Sequence, residues 1–103
     1  MAMDKKVVGK INSGPLAVML LATVATVATE VKITLKDRIN GQKVMEIDRS
    51  AKDSDVQKFI EYLTGDKSYR YSVEFEALVP LPYVNREFWE SFNIPGCCEI
   101  KIL

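Results

Sequence analysis

The sequence predicts an α+β protein in which one β-sheet carries helices on one face, an open-faced sandwich. Three observations predict it. Apolar residues recur with strand and helix periods in the order β-α-β-β-α-β, followed by a short helix and a last strand. The chain has 103 residues, 48% of them apolar, which suits one hydrophobic core. No repeat or linker divides the chain, so residues 1–103 are assigned to a single α+β domain.

The N-terminal third predicts the first strand and the first helix. Val7, Val8 and Ile11 are typical of a strand, and Ser13-Gly14-Pro15 is typical of a helix start, with Ser13 near the N-cap. Residues 11–29 carry no charge. Their apolar positions surround the helix instead of following one side. The helix therefore needs cover on more than one side.

The sheet is expected to cover one side of this helix, which leaves the other side for another helix, a partner chain or a membrane surface. Val18, Leu21 and Ala25 are predicted as an oligomer interface. Packing of the same residues inside the protein's own core is the alternative.

Residues 1–28 also have features of a secretory signal or membrane anchor. Their continuous apolar core is shorter than the ~20 residues that a membrane-spanning helix needs, and Asp4 interrupts the basic start. We therefore predict a cytoplasmic protein, with export through this segment as the alternative.

The next two strands are predicted to form a hairpin. Residues 31–35 and 43–48 alternate apolar and polar side chains. A two-residue Asn-Gly turn would mix the two faces, whereas a three-residue loop over residues 39–41 pairs Leu35 with Met45. We predict the three-residue loop, with its glycine in the left-handed conformation.

A second helix and the longest strand follow. Ser50 and Asp53 are suitable helix caps, and Gly65 is a suitable end. Residues 69–79 alternate without interruption, and Pro80 ends this strand because proline donates no hydrogen bond to a ladder. The residues that give the helix its apolar face are Val56, Phe59, Ile60 and Leu63. The aromatic residues assigned to the core face of the strand are Tyr69, Tyr71 and Phe75.

A short helix and a closing strand complete the chain. Asn85 is a suitable cap for a helix through Phe92, and residues 98–102 alternate as a strand. Aromatic residues and arginine are concentrated around the short helix, and these types are enriched in binding hot spots. We predict a surface for a protein partner there, with closure of the core as the alternative. The predicted partner-binding residues are Tyr83, Arg86, Phe88, Trp89 and Phe92.

The composition excludes several kinds of chemistry. No histidine is present, which removes the commonest general base and the commonest zinc ligand. The 14 basic and 14 acidic residues cancel, unlike the charge of a nucleic-acid-binding protein. Cys97 and Cys98 are adjacent and are predicted as one buried small residue and one edge thiol, with a vicinal disulfide between them as the alternative. No cofactor and no metal site are predicted.

One catalytic alternative stays open. Glu74 and Glu76 share a strand face, and with Asp48 they are the candidates for carboxylate chemistry. Alternating charges on a solvated sheet face explain the same glutamates without catalysis. Since no nucleophile elbow or glycine-rich phosphate loop occurs, we predict that the protein is not an enzyme.

Four short segments share the layout of a known family. Asn12-Ser-Gly14 precedes the first helix, Glu30-Val-Lys-Ile33 follows it, Asn40-Gly41 lies in the hairpin, and Gly65-Asp66 precedes a strand. Over residues 5–92 this layout resembles the HPr phosphocarrier family. The resemblance implies an open-faced β-sandwich. That family carries a phosphorylated histidine at the start of the first helix, where this chain has Pro15 and Leu16, so no phosphotransfer is implied. A ferredoxin-like strand order accommodates the same elements.

We therefore expect a small, non-catalytic protein-interaction or regulatory module that self-associates or binds a protein partner. Nucleic acid and membranes are not expected among its partners. A small enzyme with a carboxylate site is the first alternative. An exported or membrane-associated protein is the second.

Overall fold

The computed structural model describes residues 3–103 and contains an antiparallel sheet of five strands with three helices, which confirms the α+β class. Two short 3-10 turns, Ser68–Arg70 and Leu81–Tyr83, flank the fourth strand. In chain order the elements are β1 (Asp4–Asn12), α1 (Pro15–Val27), β2 (Glu30–Asp37), β3 (Lys43–Asp48), α2 (Asp53–Thr64), β4 (Tyr71–Pro80), α3 (Arg86–Glu90) and β5 (Cys98–Ile102).

The strands lie in the order β3-β2-β4-β1-β5. This differs from a ferredoxin-like order, so that alternative is not confirmed. β4 is the longest strand, and it pairs with β1 from Asp4↔Pro80 to Asn12↔Ser72 and with β2 on its other side. The strand with the most uninterrupted alternation therefore lies in the middle, where both of its edges form ladders.

Strand alternation separates an apolar face from a charged face. The helices cover the apolar face, where Ile11, Leu35 and Val73 are completely buried beneath α1 and α2. The opposite face, here called the open face, carries lysine and glutamate side chains. Lys36 Nζ lies 3.0 Å from a Glu74 carboxylate oxygen. The sheet therefore has one covered face and one solvated face.

The β2–β3 hairpin has the predicted pairing but a longer connection. Leu35 lies opposite Met45, and Ile33 lies opposite Ile47. The loop runs from Arg38 to Gln42, and the register shifts at Lys36, so the three-residue loop was wrong. The side chains of Asp37 and Asn40 accept hydrogen bonds from the backbone N–H groups two residues ahead, at 2.8 and 2.9 Å. These Asx turns stabilise the longer loop, while Gly41 keeps the expected positive φ of 72°.

The first helix begins at Pro15, as expected, but Ser13 does not cap it. The N-cap is Gly14, which has a φ of 137°, and the Ser13 hydroxyl donates to the Ser68 carbonyl instead. Tyr69 also departs from its predicted place on the core face. It belongs to the 3-10 turn before β4 and is 68% exposed.

Gly9 lies on the covered face of β1, where a larger residue has no room. A Cβ atom at this position would lie 2.6 Å from Cζ of Phe75 and 2.7 Å from Cδ1 of Ile100. The Phe75 ring therefore lies directly over the glycine, and β1 contributes backbone rather than a side chain to this part of the core.

The outer edge of β5 is occupied by the chain's own groups. The Asn93 side chain donates to the Ile100 carbonyl at 3.2 Å and accepts from the Ile100 N–H. Ile94 exchanges two backbone hydrogen bonds with Cys98, at 3.0 and 3.3 Å. These contacts take the place of a further strand along this edge.

Among residues 3–103, no helix is long and apolar enough to cross a membrane; α1 spans 13 residues. The segment considered as a signal or anchor, residues 1–28, begins with two residues that lie outside the described ones.

Candidate functional site

An apolar groove separates α1 from α2 and has a volume of about 330 Å³. Val18, Ala22 and Ala25 form the α1 side of this groove, here called the helix groove, and Val56 and Ile60 form part of the α2 side. Its floor is the covered face of the sheet, including Ile33 and Ile47. The groove exists because small residues of α1 leave space that the α2 side chains do not fill.

The structure brings the three predicted interface residues together in this groove. Leu21 is 6% exposed at the base, and Val18 and Ala25 are half-buried on the wall. The outward side of α1 instead presents Met19, which is 61% exposed, and Thr26. The second apolar side of α1 therefore faces α2 across the groove.

Arg49 lies at one end of the helix groove. Its Nη1 donates to the Ala25 carbonyl at 3.3 Å and to the Ala28 carbonyl. These carbonyls belong to the last turn of α1, where a cation is favoured by the helix dipole. Sequence reasoning did not single out Arg49, because its partners lie 21 and 24 residues away and no local motif links them.

Asp48 precedes this arginine at the end of β3. The hydroxyl and the backbone N–H of Ser50 both donate to its Oδ1, the latter at 2.8 Å. These two bonds, the hydroxyl's first, lower the pKa of Asp48 below its ordinary value. Because Asp48 pairs with Lys32 and alternates with Ile47, its side chain belongs to the open face.

Some of the predicted partner-binding residues are buried in the core, and others are exposed at the surface. Trp89 is completely buried, and its Nε1 donates to the Tyr83 carbonyl at 3.0 Å. The Phe88 ring meets the rings of Trp89 and Phe92 edge-on, with centroids 5.3 Å apart in both pairs. Tyr83 and Phe88 keep 56% and 42% of their surface exposed, and we call these two residues the aromatic patch. Arg86 lies beside them, paired with Glu90 at 3.3 Å.

The candidate carboxylates for catalysis lie on the open face. Glu74 is paired with Lys36, and Glu76 lies 3.8 Å from Lys6. Lys32 lies opposite both Glu76 and Asp48 in the ladders and therefore separates them. Each glutamate thus has a lysine as its neighbour on the open face.

The two cysteines form the disulfide that was the alternative to a buried residue and an edge thiol. Their sulfur atoms are bonded to each other. Their Cα atoms are 3.7 Å apart, the spacing of any consecutive residues, so the bond requires no approach of distant segments. Cys98 is buried where β5 meets Ile11 of β1.

No family model, curated protein or solved structure matches this chain. Within residues 3–103, no three cysteine or carboxylate side chains are grouped to hold a metal ion. Among residues 3–103, the aromatic patch and the helix groove are the candidate binding surfaces considered below.

Proposed function

We propose that the chain is a small non-catalytic interaction module that binds a protein partner through the aromatic patch. The observation that supports this proposal is the exposure of Tyr83 and Phe88 next to the buried Trp89. Trp89 Nε1 donates to the backbone carbonyl of Tyr83, and the Phe88 ring meets the Trp89 ring edge-on, so both residues contact the buried tryptophan. Rigid aromatic side chains bury a large apolar area at little entropic cost when a partner covers them.

The flanking charges indicate what kind of partner fits. The Arg86 side chain is 70% exposed, and its surface ion pair with Glu90 contributes little to stability. It can therefore turn to a carboxylate of the partner. We expect a protein surface with an apolar pocket for Phe88 and an acidic group at the rim of that pocket.

For the scaffold, we infer that the chain keeps the open-faced sandwich that the HPr resemblance implies, without its phosphotransfer. The absence of histidine from the sequence supports the second half of this inference. The helices on a single face of the sheet support the first.

Photo-crosslinking in the native cells tests the interaction. A crosslinking amino acid at position 88 is expected to give a discrete protein adduct, whereas one at position 69, an exposed tyrosine in the turn before β4, gives none. The captured protein is then purified, and its affinity for the chain is measured by calorimetry.

In that binary assay, Phe88→Ser is expected to weaken binding at least tenfold, as for a hot-spot aromatic residue. Tyr69→Ser is the matched control and leaves the affinity unchanged. Equal affinities of the two variants, or equal crosslinking at both positions, would contradict the proposal.

A further inference from the structure

We propose that the helix groove binds a small amphipathic monocarboxylate, with its alkyl chain between α1 and α2 and its carboxylate on Arg49. The site is separate from the aromatic patch, and the proposal does not depend on the proposed protein interaction. Two properties support this proposal. The groove has the size and apolar lining of a small-molecule site, and the Arg49 guanidinium lies at one end of it.

The volume sets the size of the ligand. The groove's volume of about 330 Å³ is at the lower end of the range for small-molecule sites. At roughly 30 Å³ for each water-sized group, it holds about ten non-hydrogen atoms, the size of octanoate. Val18, Ala25 and Val56 offer an alkyl chain only apolar contacts.

Arg49 supplies the charge complementarity. Its bonds to the Ala25 and Ala28 carbonyls hold the guanidinium at the end of α1 before any ligand binds. Among the hydrogen bonds of the described residues, only Nη1 of this arginine takes part. The edge formed by Nε and Nη2 is therefore left for a carboxylate, which accepts two parallel hydrogen bonds from such an edge.

The neighbouring carboxylate of Asp48 does not prevent a ligand carboxylate from binding to Arg49. Asp48 also lines the groove, but strand alternation assigns its side chain to the open face, opposite Lys32, while Ile47 faces the groove. The Ser50 N–H and hydroxyl both donate to the Asp48 carboxylate, so this carboxylate already has partners of its own. A ligand with one carboxylate at the end of a short apolar chain matches both the lining and the single positioned cation.

The test is an NMR and calorimetric titration of the full chain with octanoate, and with methyl octanoate as the neutral counterpart. We expect saturable binding of one octanoate per chain and amide shifts concentrated on the facing sides of α1 and α2. Arg49→Gln is expected to weaken octanoate binding about tenfold or more, the value of a charge-assisted hydrogen bond, and to leave ester binding unchanged.

Filling the groove provides a second readout. Ala25→Phe is expected to abolish octanoate binding, and Thr26→Phe, the same change at the neighbouring exposed position, is expected to retain it. Circular dichroism establishes that both variants fold. If Ala25→Phe is unfolded, the comparison of acid and ester on Arg49→Gln still decides the question.

The proposal would be overturned by no octanoate binding at millimolar concentration, by an affinity that Arg49→Gln leaves unchanged, or by unaltered binding to a folded Ala25→Phe variant. Sedimentation showing that Ala25→Phe converts a dimer to a monomer would also overturn it and would assign the groove to a second copy of the chain.

Discussion

Gly9 shows how a single residue determines the packing between two strands. The Phe75 ring occupies the space that a side chain at position 9 would fill. Val7, Val8 and Ile11 predicted a strand here, but the sequence did not identify the contact of Gly9 with Phe75, because that contact depends on which strand lies next to β1.

Gly9→Ala is expected to destabilise the protein by about 1–3 kcal/mol, since the added methyl group overpacks the core against Phe75. Urea unfolding measures the change in the free energy of unfolding. The double variant Gly9→Ala, Phe75→Leu is expected to recover part of the loss, because the smaller side chain relieves the overlap. A double variant whose loss equals the sum of the two single losses would refute this explanation.

Ser50 controls the ionisation of Asp48. Removing the hydroxyl in Ser50→Ala is expected to raise the pKa of Asp48 toward its ordinary value, because the larger of the two stabilising hydrogen bonds is lost. NMR titration of the aspartate side chains measures this pKa. Ser54→Ala, an exposed serine in the first turn of α2, is the control and leaves the pKa of Asp48 as it is.

The lowered pKa of Asp48 determines how its contribution to the stability of the protein changes with pH. A carboxyl group with a lower pKa in the folded state stabilises the protein above its unfolded-state pKa, about 3.9, and this contribution is lost as the pH falls through the folded-state value. The Ser50→Ala variant should therefore lose stability relative to the natural protein at neutral pH, and the difference should diminish in acid. A difference that grows in acid would contradict this assignment.

At the scale of elements, the sequence predicted what depends on near neighbours. Asn85 caps α3 by accepting from the Phe88 N–H at 3.2 Å, three residues away, and it was predicted. The bond of Ser13 to Ser68 spans 55 residues, and no local pattern signals it. The hairpin register followed from the apolar faces of β2 and β3, whereas its loop length depended on Asx turns that the pattern of faces does not constrain.

The side chain of Asn93 is expected to stabilise β5 and to protect its free edge. Asn93→Ala removes both side-chain hydrogen bonds to Ile100 and leaves its backbone groups without that partner. We expect a loss of about 1–3 kcal/mol in the free energy of unfolding and increased association through this edge. Thermal unfolding and light scattering measure the two effects. Asn40→Ala, which removes one local turn bond in the hairpin, is the control for association, and equal scattering by both variants would disprove the role of Asn93.

At the scale of the molecule, alternation and helix periods were sufficient for the class and the sequence of elements. They were not sufficient for the order of strands in the sheet. Alternation reports which face of a strand is covered, but it does not report which strand lies beside it. The helix groove could not be predicted from the sequence for the same reason. Val18 and Ala25 were singled out for an interface, but only the placement of α2 shows that they face Val56 and Ile60 of the same chain.

The two edges of the sheet are unequal, and this limits how the molecule can assemble. Asn93 and Ile94 occupy the free edge of β5, whereas β3 pairs only with β2 among residues 3–103. Copies that joined edge to edge would have to meet β3 against β3, around a two-fold axis. The outermost strand at each end of such a dimer would be β5, whose free edge is already occupied by Asn93 and Ile94. The sheet therefore allows a finite dimer of ten strands and opposes its own polymerisation into a fibre.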